Sequence, residues 1–354
     1  MKGLVNAPDA LKLYAGRRVL VTGHTGFKGS WLALWLTRLG AKVTGLSDTI
    51  PTDPSHFAAL ELDLDDRRGD ICNPAAVDAL VAEARPELVV HLAAQSLVRK
   101  AYSNPLPTYR SNVLGTLAVL EACRRHDARA VVVASTDKVY RNDESGRRYR
   151  EEDELGGSDP YSASKSCVEL MTRSYGESFL RDGNMLVATV RAGNVIGGGD
   201  WAEDRLVPDL MRATFSNEPA VIRNPASMRP WQHVLDVLAG YLVIGGGLLG
   251  GRREMAEAWN LGPASDAGVS VQDLLDAIRA QLPQLEVEIR PDDSGRHESG
   301  LLQLDSAKAM SRLGWRPQWE SEMLERTIAW YRAFYESGLV ISNDQLDAYE
   351  AALG

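Results

Sequence analysis

Only three cysteines, Cys72, Cys123 and Cys167, occur in 354 residues, far apart and with no C-x-x-C pair. That spacing argues against a disulfide framework or a zinc ribbon, so no metal site is expected and a reducing compartment is the better fit. A basic excess is also missing: 39 Lys and Arg face 48 Asp and Glu, for a net charge of -9. Dedicated nucleic-acid binders carry the opposite balance, so no nucleic-acid partner is expected. No apolar run approaches the ~20 residues of a spanning helix. The most apolar stretch, Tyr241 to Gly251, is short and broken by glycine. The N-terminal segment MKGLVNAPDALKLYAGRR lacks the apolar centre of a secretory signal, which predicts a cytoplasmic protein without membrane association. Internal repeats and low-complexity tracts are absent too.

What the first half does contain is strand and helix in alternation. Arg18 to Thr22, Ala41 to Leu46, Glu87 to Ala94, Ala130 to Ser135 and Leu186 to Arg191 read as strands, the later ones apolar nearly throughout. Strands buried on both faces look like this. Gly29 to Leu39, Pro74 to Ala84, Ser111 to His126 and Tyr161 to Leu180 read as helices. The alternation predicts an α/β fold, a Rossmann-type doubly wound parallel sheet. Arg141 to Asp159 is charged and glycine-bearing and reads as a surface loop. Past about Asn194 the elements shorten and glycine and proline become frequent. The chain therefore divides into 1–194, a dinucleotide-binding part, and 195–354, mainly a smaller C-terminal substrate lobe over the carboxyl edge of the sheet, with some segments free to return to the first part.

Between the first strand and the first helix stands Thr22-Gly23-His24-Thr25-Gly26-Phe27-Lys28-Gly29. Glycines at this spacing permit a tight turn and the close approach of a pyrophosphate, while the helix start offers free N–H groups. In this context Gly23, Thr25, Gly26, Phe27, Lys28 and Gly29 are expected to hold a dinucleotide. Asp48, about twenty residues on at the end of the second strand, is placed to grip ribose hydroxyls, and no Arg or Lys follows it to meet a 2′-phosphate. NAD is the expected cofactor. Asp70 and Ile71 are candidates for the adenine pocket, and Leu92, Ala93, Ala94 and Gln95 close the fourth strand with mostly small residues that let the cofactor approach.

Tyr161 and Lys165 form Y-x-x-x-K, four apart on one helical face. An ammonium beside a phenol favours phenolate, and such a tyrosine can remove a hydroxyl proton as the carbinol carbon is oxidised. Thr136, at the end of the fifth strand, would hold the same hydroxyl. Asp137 and Lys138 follow it, an acid and a base side by side. A sugar epimerase needs only the tyrosine and a Ser or Thr; the extra pair suggests elimination of water beside a new ketone, with Lys138 as base and Asp137 as acid.

Taken together, Thr22 to Gly29, His91 to Gln95, Thr136 to Lys138 and Tyr161 to Lys165 resemble the extended short-chain dehydrogenase/reductase family. Within it the chain resembles the nucleotide-sugar 4,6-dehydratases, most of all the branch that acts on CDP-glucose. Arg191 to Trp201, Asp204 to Asp209, Arg229 to Val234 and the lysine at 138, where many relatives have glutamate, carry that narrower likeness. The resemblance implies a tightly held NAD, contacted also by Tyr161, Lys165 and Asn112. It implies a lyase cycle: oxidation at carbon 4 by Tyr161, loss of water across carbons 5 and 6 by Lys138 and Asp137, and hydride return to carbon 6. It further implies that Gln95, Asn194, Arg205, Arg229 and Arg296 bind the nucleotide sugar, and that two copies pair through the helices Ser111–His126 and Tyr161–Leu180 as a homodimer. Another nucleotide sugar, an epimerase of one, or a non-enzymatic NAD-binding regulator are the alternatives; the joint presence of Thr136, Tyr161 and Lys165 disfavours the last. Trp201 and Trp231 could stack on sugar or base, though core packing suits at least one of them, and His233 reads as a packed histidine. Cys72-Asn73 departs from the Arg-Asp common in the branch.

Overall fold

The computed structural model describes residues 7–264, 268–290 and 302–353. Its centre is a sheet of seven strands: β1 (Arg18–Thr22), β2 (Lys42–Ser47), β3 (Asp65–Arg68), β4 (Leu88–His91), β5 (Ala130–Ala134), β6 (Leu186–Arg191) and β7 (Ala258–Asn260). They lie in the order β7-β6-β5-β4-β1-β2-β3, every pairing parallel. The doubly wound sheet read from the sequence is therefore present. The order reverses between β1 and β4, which opens a crevice at their carboxyl ends where ligands bind in such folds. β4 and β5 are buried along their whole length. The edge strand β3 is Asp-Asp-Arg-Arg and mostly exposed, a charged border that resists further strand addition.

Helices cover both faces. The longer ones are α1 (Phe27–Arg38), α2 (Pro74–Ala84), α3 (Thr116–Arg125), α4 (Pro160–Tyr175), α5 (Leu206–Ser216), α6 (Val234–Leu249), α7 (Val271–Gln281), α8 (Met323–Ser337) and α9 (Ser342–Ala352). α2 starts where Asn73 accepts from the Ala76 N–H, with Pro74 at its first position, so the departure from the branch pattern at 72–73 is a helix cap. The two long helices expected at 111–126 and 161–180 are each interrupted. A π-helical turn at Arg110–Gly115 precedes α3, and another at Gly176–Leu180 follows α4. A wide turn of this kind redirects side chains without ending the helical run.

The apolar stretch Tyr241–Gly251 lies within and just beyond α6, a helix buried at every position that packs on β4, β5 and β6. No described helix is long and apolar enough to cross a membrane. Residues beyond 194 are shared between layers: α6 and β7 complete the sheet layer, while short ladders such as Met228–Arg229 with Val269–Ser270 build the region over its carboxyl edge. The segment read as a surface loop is mostly exposed or half-buried and is anchored at one point. Arg148–Tyr149 pairs with Gln303–Leu304, and Tyr149 is buried.

Candidate active site

The crevice begins at the glycine loop. Gly23 has φ 77°, and a Cβ there would stand 2.7 Å from the Ala93 backbone nitrogen. A Cβ at Gly29 would lie 2.0 Å from the Gly23 carbonyl oxygen. Only glycine allows β1, the loop and α1 to approach this closely. Gly26 caps α1 with no side-chain hydrogen bond, so the first N–H groups of the helix keep their capacity for an anionic ligand. Thr25 Oγ1 donates to the Thr49 carbonyl at 2.7 Å, tying the loop to the end of β2. Phe27 packs against the core. His24 turns away from the crevice, buried between Ser47 Oγ at 3.0 Å and Asp66 Oδ1 at 2.9 Å.

Asp48 is exposed beyond β2, and its Oδ1 accepts the Thr49 N–H at 2.8 Å. Asp70 accepts the Cys72 N–H in the same manner, and Ile71 is buried beneath Gly115. Leu92, Ala93 and Ala94 form the half-buried wall after β4. The side chain of Gln95 folds back on its own loop, Nε2 donating to Leu97 O and Thr108 Oγ1 and Oε1 accepting the Leu97 N–H. Asn112, fully buried in the π turn, clamps the Gln95 backbone through two hydrogen bonds and donates to Ser164 Oγ on α4 at 2.9 Å. These two residues join the β4 loop to α4.

At the end of β5, Thr136 caps a single 3-10 turn, Asp137–Val139. Its hydroxyl donates to Asp137 Oδ1 at 2.9 Å, while the other carboxylate oxygen has no hydrogen-bond partner although the residue is 1% exposed. Gly193 makes this possible, since a Cβ there would sit 2.0 Å from Asp137 Oδ2. An unpartnered buried carboxylate oxygen marks a place where a ligand donor fits. Lys138 is half-buried on the same turn.

α4 brings Tyr161 to this point. Asp159 caps the helix by accepting the N–H groups of Tyr161 and Ser162, and Pro160 occupies its first position. The Tyr161 phenol is buried and hydrogen-bonds with Thr136; burial pushes it up to about 12, and the Asp137 carboxylate acts in the same direction. The expectation of a phenol made acidic by Lys165 is therefore not met in the protein alone. Lys165 Nζ donates to the Ala134 carbonyl at 2.9 Å, and burial, aided by Lys28, pushes this ammonium down to about 8. Lys28 itself is lowered to about 8 by burial and by Arg205, with Asp137 and Asp200 opposing. Its ammonium thus faces the Tyr161 end of the crevice.

Of the expected substrate ligands, Arg205 donates to Asp200 Oδ2 at 2.9 Å and to Ser96 Oγ at 3.1 Å, bridging the β4 loop and the C-terminal region. Asn194 holds φ 50°, and its carbonyl accepts the Gln232 N–H. Arg229 lines a cleft with Arg148, Trp231, Gln303 and Glu320. Arg296 lies outside the described residues. Trp201 is core, its indole donating to Tyr335 Oη at 3.0 Å among Trp330, Tyr331 and Phe334. Trp231 faces the Arg229 cleft with its indole nitrogen buried and unpartnered. His233 is buried against Trp319 and lowered to about 3 by burial. Among the described residues no group of three or more His, Cys, Asp or Glu could hold a metal ion. Sequence reasoning overlooked Ser96, Asp159, Asp200 and the buried Glu169–Arg191 pair; only Asp159, preceding Pro-Tyr at a helix start, carried a readable signal.

A parallel sheet with a glycine turn at its switch point, and a Tyr-Lys helix facing the end of β5, define a class of nucleotide-cofactor enzymes. The chain belongs to the NAD dependent epimerase/dehydratase family, whose model matches residues 19–253. It is 42% identical over 350 residues to the CDP-glucose 4,6-dehydratase of Salmonella typhimurium, covering 96% of this chain and 98% of that protein. Among solved structures it resembles the epimerase Mth375 of Methanothermobacter thermautotrophicus, with TM-score 0.81, 27% identity, and 93% and 96% of the two chains covered. It also resembles the dTDP-glucose 4,6-dehydratase DesIV of Streptomyces venezuelae, solved with NAD bound, with TM-score 0.77, 25% identity, and 89% and 97% covered.

Proposed function

We propose that this protein is an NAD-dependent lyase that converts CDP-glucose to CDP-4-keto-6-deoxyglucose. The observation that carries the reading is Asp137: a buried carboxylate with one unpartnered oxygen, beside Tyr161 and next to Lys138. A bare epimerase has no use for that extra acid-base pair. The near full-length likeness to a CDP-glucose 4,6-dehydratase supports the choice of nucleotide.

Gly23, Thr25, Gly26, Phe27, Lys28 and Gly29 would hold the cofactor's phosphates at the start of α1, with Leu92 to Ala94 as its wall and Asp48 and Asp70 at the adenosine end. NAD, when bound, supplies oxidation at carbon 4 and an equal reduction at carbon 6, so the net reaction is loss of water. Tyr161, hydrogen-bonded to Thr136, receives the proton of the sugar's 4-hydroxyl. Lys165 and the positive cofactor favour that transfer by offsetting the burial that raises the phenol. Lys138 removes the proton at carbon 5 and later returns it. Asp137 protonates the departing 6-hydroxyl. Asn194, Arg205 and Arg229 are the described candidates to bind the diphosphate, for which guanidinium forks are suited.

Incubating the protein with CDP-, UDP-, GDP- and dTDP-glucose in parallel, with detection of the 4-keto product, tests the reading. Product from CDP-glucose alone is expected; product from another nucleotide but not from CDP-glucose reassigns the substrate.

The working unit in this reading is a cytoplasmic homodimer. Among the described residues, five of the ten exposed large apolar side chains, Leu106, Leu114, Leu117, Leu170 and Phe179, lie on the helical runs around α3 and α4. Apolar residues gathered on two neighbouring helices suit burial against a second copy. Cys72, Cys123 and Cys167 are all unpaired, which suits a reducing compartment.

A further inference from the structure

Two separate sets of bonds hold the candidate catalytic groups. Tyr161 and Lys165 belong to a part of α4 that is tied to structure ahead of the 3-10 turn: Lys165 Nζ donates to the Ala134 carbonyl at 2.9 Å, and Ser164 Oγ accepts from Asn112 at 2.9 Å. Asp137 and Lys138 stand on the turn itself, which is gripped at its far end. There the Val139 carbonyl accepts from Ser166 Oγ of α4 at 2.9 Å. Tyr140, the residue that closes the turn, is 1% exposed, and its ring stacks on Tyr149 with 5.2 Å between centroids. Its hydroxyl donates to Asn260 Oδ1 of β7 and accepts from Arg191 Nη1 of β6, each at 2.7 Å. Arg191 reaches on to Glu169 Oε2 of α4 at 2.8 Å, and Asn260 Nδ2 donates to the Tyr149 carbonyl at 2.8 Å. We propose that the Tyr140 hydroxyl is the positioning group for the elimination half of the cycle: through Arg191 and Asn260 it holds Asp137 and Lys138 in place, while Tyr161 and Lys165 keep their own anchorage for the oxidation half.

The inference rests on the dehydratase reading and deepens it. Oxidation and re-reduction of one carbon use groups held ahead of the turn. Loss of water adds two transfers, at carbon 5 and at the 6-hydroxyl, and the two side chains assigned to them are neighbours on a turn of three residues. A single 3-10 turn has poor hydrogen-bond geometry of its own, so its aim is set by what it is tied to. The Tyr140 hydroxyl gives one bond, takes one and is buried, so it is committed to the protein and touches no reactant. It acts on the chemistry only through the residues that precede it. Without it a buried guanidinium donor and a buried amide acceptor lose their shared partner, and both have to find others. The turn end then shifts with them. Misplacing a reacting group by about 1 Å costs on the order of 10²-fold in rate, so a small shift is enough to be measured.

The test mixes the parent and Tyr140→Phe, each loaded with NAD, with CDP-glucose and follows two signals. The rise of reduced-cofactor absorbance reports oxidation at carbon 4. Its decay, together with formation of the 4-keto-6-deoxy product, reports elimination and reduction at carbon 6. Phenylalanine keeps the ring and its stack on Tyr149 and removes only the hydroxyl. The rise should keep the parent rate, while decay and product formation slow by about tenfold or more, so that reduced cofactor accumulates. A tyrosine that only stabilises the fold lowers the melting temperature and weakens both signals by one factor. Equal losses, no loss, or a loss confined to the rise therefore overturns the positioning role. Ser166→Ala, which releases the grip of α4 on the Val139 carbonyl, is read in the same way should Tyr140→Phe fail to fold. Failure of the dehydratase reading looks different. A parent protein that yields the 4-epimer, or turns over none of the four nucleotide sugars, sinks that reading and this one together, whereas a parent that dehydrates and a variant with equal losses sink the positioning role alone.

Discussion

Lys165 Nζ donates to the carbonyl oxygen of Ala134, 2.9 Å away, at the last residue of β5. One lysine thus pins the Tyr161 helix to the strand that delivers Thr136. The same bond holds the ammonium in a buried site that disfavours the charged form relative to water and lowers its proton affinity to about 8.

Removing that charge should stabilise the fold while ending catalysis. Lys165 is lowered from 10.5 to about 8 in the folded protein. Below pH 8 both folded and unfolded chains carry the proton, so the full penalty of burial is present; between pH 8 and 10.5 the unfolded chain binds more protons and the penalty fades as pH rises. Lys165→Met should therefore raise stability at pH 7 by about 1–2 kcal/mol after loss of the Ala134 hydrogen bond, and lower turnover by about 10²–10⁴-fold. Urea unfolding at pH 7 and pH 10 checks the first part, with a smaller gain expected at pH 10.

Lys138→Ala should leave NAD binding intact and abolish net dehydration, with a loss of about 10²–10⁴-fold in turnover. The side chain is half-buried on the Asp137–Val139 turn and supports no packing cluster of its own, so the melting temperature should hardly move. Unchanged turnover removes Lys138 from the base role.

The Glu169–Arg191 pair is a stability element behind the site. The two side chains are 3% and 4% exposed and meet at 2.8 Å, and Arg191 goes on to donate to Tyr140 Oη at 2.7 Å. Glu169→Gln leaves a buried guanidinium uncompensated and should cost about 3–5 kcal/mol in urea unfolding. A change under about 1 kcal/mol would show that water reaches Arg191.

The proposed homodimer is tested at the π turns that flank α3 and α4. Leu114→Glu combined with Phe179→Lys places charge on two side chains that are 60% exposed in the single chain. Light scattering at micromolar concentration should give twice the chain mass for the parent and the chain mass for the variant. A parent protein of 38.7 kDa in solution refutes the pairing.

Pattern recovered the sheet and the glycine turn because both are local. β-Branched runs at Arg18–Thr22 and Ala130–Ala134 can be buried on both faces only as inner parallel strands, and Gly23 has to be glycine wherever φ is positive and a backbone lies 2.7 Å away. The interruptions of the two long helices escaped notice, since Arg110–Gly115 and Gly176–Leu180 contain no proline and their wide turns answer to packing. The anchoring of Arg148–Tyr149 escaped too, because its partner Gln303–Leu304 lies far along the chain.

The residue types for proton transfer were set in the linear chain: Thr136, Asp137 and Lys138 are consecutive, and a helix puts Tyr161 and Lys165 on one face. Their proton affinities were not. Burial raises the Tyr161 phenol and lowers Lys28 and Lys165, and these shifts exist only once β5, α1 and α4 have closed on each other and excluded water. The direction of each side chain was likewise a tertiary matter: Lys165 chose a carbonyl, Arg205 a carboxylate and Trp201 the core. Spacing along a chain decides which groups can be neighbours, and the dielectric and partners around them decide what those neighbours can do.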